Sequence, residues 1–275
     1  MSESITDVMA IDVHAHYGDY YREEATEEQN RFMGGDGETV VARAREARTQ
    51  YTIVSPLSGL FPRGQADAAA GNEEAARVVA ATPGLLQWVI VHPLQRETFE
   101  QARRLLPLPQ CVGIKIHPEE HRYPIAEHGR VLFEFAAEQK AVILTHSGDE
   151  LSKPMDFVPL ANTFPEVSVI VAHLGNGGKA GGDPTLQVRA IQKAKHGNMF
   201  TDTSSARSIM PCLIEWAVSE IGVEHVLYGT DSPLYFGPSQ RARIDHADLS
   251  AAEKRAILRE NAIRILDLNV EEGRT

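Results

Sequence analysis

Eight short runs rich in valine, isoleucine and leucine punctuate this chain, and stretches of helical periodicity fall between them. The runs are residues 8–14, 51–57, 85–91, 111–116, 141–146, 167–173, 198–203 and 225–230. Several are apolar on both faces, as strands of a parallel sheet covered on both sides should be. The helical stretches are 38–48, 67–81, 96–105, 126–139, 154–163, 184–195, 207–220 and 250–268. The last opens with a capping box, Ser250-Ala251-Ala252-Glu253, and continues with an apolar stripe of Ile257, Leu258, Ala262, Ile265 and Leu266. Strands and helices in strict alternation predict a (β/α)8 TIM barrel rather than an open doubly wound sheet. The 275 residues suit one such domain, expected to span 1–275.

Five of these strands end in, or run into, residues that bind metals: Asp12-Val13-His14-Ala15-His16, Ile114-Lys115-Ile116-His117, Leu144-Thr145-His146, Val171-Ala172-His173 and Gly229-Thr230-Asp231. His14 and His16 are two residues apart, so on a strand both point the same way and can grip one ion together. Asp12 shares their parity at a deeper level. It suits an acceptor that fixes a histidine tautomer, and a structural role in the barrel floor fits it equally. With His146, His173 and Asp231 at equivalent strand ends, the mixture of imidazole and carboxylate suits zinc, with manganese or iron as alternatives. Any one of these residues alone reads as a satisfied polar group. Their recurrence at the same end of separate strands is what points to a metal centre at the barrel mouth.

Composition narrows the partners. The net charge of -11 repels phosphate backbones and anionic lipids, so neither nucleic acid nor a membrane surface is expected. No run approaches the roughly 20 apolar residues of a spanning helix. The acidic N-terminus does not read as a signal peptide, so a soluble cytoplasmic protein is expected. Cys111 and Cys212 are isolated and read as small buried apolar residues, as Trp88 and Trp216 read as packing residues. Two loops stand out: an acidic one over 17–37, and the glycine-dense 175–182, which reads as a flexible connection or as backbone lying close to substrate.

The motifs Asp12-Val-His-Ala-His16, Gly113-Ile-Lys-Ile-His-Pro118, Thr145-His-Ser147, Ala172-His-Leu-Gly175, Gly229-Thr-Asp-Ser-Pro233 and Glu260-Asn-Ala-Ile-Arg-Ile-Leu266 cover nearly the whole chain. Together they resemble the amidohydrolase superfamily. Within it they resemble the amidohydrolase-related family, which includes aminocarboxymuconate-semialdehyde decarboxylase and several aromatic-acid decarboxylases alongside hydrolases. The resemblance implies a metallo-dependent hydrolase type of barrel. It implies that His14, His16, His146 and Asp231 hold the metal and that His173 is the neighbouring acid/base. Asp231 would then be both ligand and base. Lys115 is open to three readings: a carboxylated bridge between two metals as in some superfamily branches, an unmodified partner for Asp231 or a substrate carboxylate, or a buried structural ion pair. The unmodified reading is favoured, and with it one metal rather than two. His117 and His92 are candidate pocket residues. Arg63 and Arg207 are candidate clamps for a substrate carboxylate, since a guanidinium fork matches that group.

The first expectation for the reaction is hydrolysis of a small-molecule ester, lactone or amide-like bond by metal-activated water. The alternative is non-oxidative decarboxylation of a small unsaturated or aromatic acid, and a non-catalytic binding barrel is the third. The chain lacks the long insertions that often build an aromatic-acid pocket, which tilts the expectation toward hydrolysis. A metal-dependent DNase is disfavoured by the acidity and by Gly-Ile-Lys-Ile-His-Pro in place of the segment expected there. Homo-oligomerisation is left open by the sequence.

Overall fold

The computed structural model describes residues 7–178, 182–204 and 209–270. Eight parallel strands follow one another around a single sheet in chain order. They are β1 (Ala10–Tyr17), β2 (Thr49–Pro56), β3 (Leu85–Ile90), β4 (Cys111–Ile116), β5 (Val142–Thr145), β6 (Val169–Val171), β7 (Met199–Asp202) and β8 (Val226–Leu227). The segment after β8 returns to β1: Ala15 bridges Ser232, and the Val13 amide donates to the Tyr228 carbonyl at 3.0 Å. The result is a (β/α)8 barrel, as the alternation of runs predicts.

The floor of the barrel is apolar. Ile11, Ile53, Trp88, Leu144, Ile170, Phe200 and Leu227 fill it. Trp88 is fully buried and its indole N–H donates to the Val13 carbonyl at 2.8 Å. Gly113 on the next strand makes room for that ring: a Cβ there would sit 2.7 Å from Trp88 and 2.5 Å from the Val142 carbonyl. Above this layer the barrel turns polar, with Lys115, Asp202, His14 and His16 all buried.

Several local features differ from the sequence expectations, each for a physical reason. β1 carries a bulge: Asp12 pairs with Thr52 and Ala15 with Val54, so β1 holds one extra residue there. The bulge breaks the parity between Asp12 and the histidines. Residues 250–268 form one helical stretch, Ala251 to Leu266, but Ala256–Glu260 is π-helical. The Tyr228 amide donates to the Ile257 carbonyl at 3.0 Å, drawing that group out of the helix ladder. Unforeseen helices occupy loops at Glu27–Phe32, Pro118–His121 and Gly237–Asp245. The 17–37 segment is therefore partly ordered, and a bridge between Gly18 and Gly35 closes it. The helix expected over 207–220 is seen as Leu213–Ile221: 209–212 precede it outside the α-helix, and 207–208 lie outside the described residues. The cysteines are not core residues: Cys111 is half-buried and Cys212 is exposed. Trp216 packs partly buried at the edge of the core. No helix among the described residues is long and apolar enough to cross a membrane.

Candidate metal centre

The bulged end of β1 sets the site. Because the extra residue turns Asp12 aside, its carboxylate does not touch a histidine ring. Instead Oδ1 accepts from the backbone amides of His14 and Thr230, both at 3.0 Å, and Oδ2 accepts from the Thr230 hydroxyl. Asp12 thus ties β1 to the segment after β8, and burial raises its carboxyl to about 7. The structural role, and not the tautomer-fixing one, is what the geometry gives it.

His14 and His16 do point into the same space, as their spacing predicts. His14 Nε2 lies 3.6 Å and His16 Nε2 3.2 Å from Asp231 Oδ1. The other nitrogen of each ring is anchored. His14 Nδ1 meets Asp202 Oδ2 at 2.9 Å, and His16 Nδ1 meets the Ser55 carbonyl at 3.2 Å and its hydroxyl at 3.0 Å. A carboxylate or carbonyl behind one ring nitrogen, with the other turned to a shared point, is the arrangement metal-binding histidines adopt. Among the described residues, His14, His16 and Asp231 form one cluster able to hold a metal ion, and His14, His173 and Asp202 form an overlapping one.

The protonation states agree. Burial, then the Lys115 charge, lowers His14 to about 4, and burial lowers His173 well below its ordinary value. Burial alone would raise the carboxyls of Asp202 and Asp231. The His14 charge and hydrogen bond for Asp202, and the His16 bond with the facing histidines for Asp231, hold both below the carboxylate range instead. Neutral imidazoles and ionised carboxylates are the forms that coordinate metals. This donor set fits a divalent cation.

The remaining expected residues take different places. His146 reaches the cluster through His173: its Nδ1 lies 3.0 Å from His173 Nε2, and its Nε2 lies 2.7 Å from Asp149 Oδ2. His173 Nδ1 is 2.8 Å from the Ser204 hydroxyl, which also contacts Asp202. Lys115 is fully buried with Nζ 2.8 Å from His14 Nε2, and burial lowers its pKa to about 8 against the pull of Asp231 and Asp202. His117 lines the cavity with its ring stacked on His146 at 4.5 Å. His92 does not line it. Its ring stacks on His121 at 4.4 Å, and its Nδ1 accepts from the Leu94 amide, so the pocket expectation fails for this residue. Arg207 lies outside the described residues.

The cavity above the cluster measures about 280 Å³. Its wall also holds a charged cluster, of which the sequence pointed only to Arg63. Glu120 is buried there between two guanidinium forks. Arg63 donates through Nε at 3.1 Å and Nη2 at 2.8 Å, and Arg22 donates through Nη1 at 2.8 Å and also through Nη2. Arg22 also lies 4.4 Å over the Phe61 ring. Two cations on one carboxylate leave this wall with a net positive charge. Asp202, by contrast, ends a strand just as the expected ligands do, and the strand-end rule extended to that carboxylate finds it. Arg22, Glu120, Asp149 and Ser204 sit in loops or a short helix and carry no sequence signal.

The family model described as Amidohydrolase matches residues 11–268. The chain belongs to the amidohydrolase family. It is an enzyme of that superfamily by membership, and the family together with the donor set supports a divalent metal. No curated protein matches the sequence. Among solved structures, similar chains include 5-carboxyvanillate decarboxylase from Sphingomonas paucimobilis, with 13% identity, a TM-score of 0.70, and 94% of this chain and 99% of that one covered. A 2,6-dihydroxybenzoate decarboxylase in complex with 2,6-dihydroxybenzoate gives 13% identity, a TM-score of 0.72, and 95% and 99% coverage. A dihydroxybenzoic acid decarboxylase from Polaromonas sp. JS666, with bound manganese and 2-nitroresorcinol, gives 16%, 0.71, and 96% and 98%. At these identities the likeness establishes the shared barrel.

Proposed function

We propose that this amidohydrolase-family protein is a non-oxidative, metal-dependent decarboxylase of a small aromatic or unsaturated carboxylic acid. This replaces hydrolysis as the leading reading. The observation that carries it is the pairing, in one cavity, of the His14–His16–Asp231 cluster with the cationic wall of Arg22 and Arg63. The net positive charge of that wall would attract a carboxylate or phenolate, which an ester or lactone does not need. The solved decarboxylases sharing this barrel support the reading.

We assign one divalent ion, zinc or manganese, to His14, His16 and Asp231, with His146 as the further ligand that the family resemblance implies. When bound, the ion would orient the substrate and draw electron density from the bond that breaks. The chain does the rest. Arg22 and Arg63 fix the far end of the substrate, and Phe61, Leu57 and Leu234 wall the cavity with apolar surface. As the carbon–carbon bond breaks and carbon dioxide leaves, the ring or vinyl carbon must take up a proton. We assign that delivery to His173, which lines the cavity with its Nδ1 held by the Ser204 hydroxyl and its Nε2 3.0 Å from His146 Nδ1. Lys115, unmodified, balances the charges of Asp202 and Asp231 beneath the site.

The test is to load the purified protein with zinc or manganese. It is then offered hydroxybenzoates and unsaturated acids alongside a panel of esters and lactones. Carbon dioxide release from an acid, with KM raised by about 10–100-fold in Arg22→Met or Arg63→Met, is the expected result. Turnover of an ester or lactone with no carbon dioxide released from any acid would restore the hydrolase reading.

A further inference from the structure

His146 is oriented oppositely to the other two histidines. His14 and His16 are anchored at Nδ1 and present Nε2, whereas His146 is anchored at Nε2 by Asp149 and turns Nδ1 toward His173. The anchor is built with close tolerances. Gly178 passes so near that a Cβ on it would stand 2.1 Å from Asp149 Oδ1. Gly148, at φ +101°, packs against Asn176, where a Cβ would meet the Asn176 carbonyl at 2.1 Å. The Asn176 amide donates to the Ser147 carbonyl at 2.8 Å, and its side chain also bonds Asp149. The glycine-dense loop after β6 therefore serves the site directly: Gly178 packs against the Asp149 carboxylate and the Asn176 side chain bonds it.

We infer that Asp149 is the positioning residue of His146, holding the ring proton on Nε2 so that Nδ1, 3.0 Å from His173 Nε2, is the unprotonated nitrogen open to an ion. A carboxylate hydrogen-bonded to one ring nitrogen fixes the tautomer and raises the basicity of the other. Asp149 would thus do for His146 what Asp202 does for His14, from a loop rather than a strand. The inference rests on the metal-centre reading above and adds to it the ring nitrogen of His146 and the loop that selects it.

Two measurements test it. Long-range ¹H–¹⁵N correlation spectra of the metal-free wild type should show His146 protonated at Nε2, and Asp149→Ala should lose that preference. Chelator competition with Zn²⁺ and Mn²⁺ should then show about 10–100-fold weaker binding in Asp149→Ala. Gly178→Ala, which crowds the carboxylate without removing it, should weaken binding in the same sense. Wild-type His146 protonated at Nδ1, or Asp149→Ala binding metal as tightly as the wild type, would overturn the inference. A wild type that takes up no divalent metal would instead remove the metal centre itself, a distinct result.

Discussion

Replacing Asp202 by asparagine changes one oxygen to an amide nitrogen in a side chain that is wholly buried. Its Oδ1 accepts from the His173 amide at 3.1 Å and the Ser204 amide at 3.0 Å, and an asparagine oxygen can keep both bonds. Oδ2 is the atom that meets His14 Nδ1, and an NH₂ in its place is a donor facing a donor. To relieve the clash, His14 must move its proton to Nε2, the nitrogen that faces Asp231. The lost bond is charge-assisted and worth about 1.5–3 kcal/mol. At about 1.4 kcal/mol per tenfold, this corresponds to roughly 10–100-fold weaker metal binding. Without metal, the shifted tautomer lets His14 Nδ1 accept from the new NH₂ while the two amide bonds survive, so stability should fall by only about 1 kcal/mol. Metal affinity is read by competition with a chromophoric chelator, and stability by denaturant melts of the metal-free protein. Asp12→Asn is the matched control. It is equally buried and sits two residues from His14, but it bonds backbone and Thr230 rather than a ring, so it should leave metal affinity near the wild type. If Asp202→Asn bound metal as tightly as the wild type, the assignment of His14 Nε2 as a ligand would fail.

Lys115→Met removes a buried cation from beside His14 Nε2 and should tighten divalent-metal binding by at least about tenfold. Loss of metal in that variant would show that Lys115 is a bridging ligand. The acid limb of the stability curve should carry a contribution from His92, whose pKa burial lowers from 6.5 to about 4. Below 6.5 the unfolded chain takes up a proton that the folded ring refuses. Stability is therefore full above pH 6.5 and falls as pH drops toward 4, by about 1–3 kcal/mol after solvent screening. His92→Phe should flatten that fall in melts run across the window, and an unchanged slope would refute the assignment. Gly113→Ala forces a methyl against Trp88 and the Val142 carbonyl and should cost about 1–3 kcal/mol, read as a lower denaturant midpoint with the slope unchanged.

The strands were legible because an apolar run long enough for a strand, repeated between helical stretches, has few other ways to bury itself. His14, His16 and Asp231 were legible because strand ends in a parallel barrel all face one mouth. The residues around them were harder to read. Asp12 matched the histidines in parity until one extra residue in β1 turned it aside. His92 ends a strand as His117 does, but it faces His121 and Tyr123 between elements instead of the cavity. Arg63 was legible as a cation after β2. Its companions were not, since Glu120 lies 57 residues from Arg63 and 98 from Arg22 along the chain.

By itself, the sequence determined the barrel, the mouth as the site of chemistry and the kind of atoms gathered there. These follow from periodicity and from residue type, which are local properties. Only the tertiary structure decided which nitrogen of each histidine faces inward, which carboxylate stands behind it and what charge lines the cavity wall. Those depend on a bulge, on Gly178 and Asn176 packed against Asp149, and on contacts between residues far apart in the chain, which no local pattern encodes.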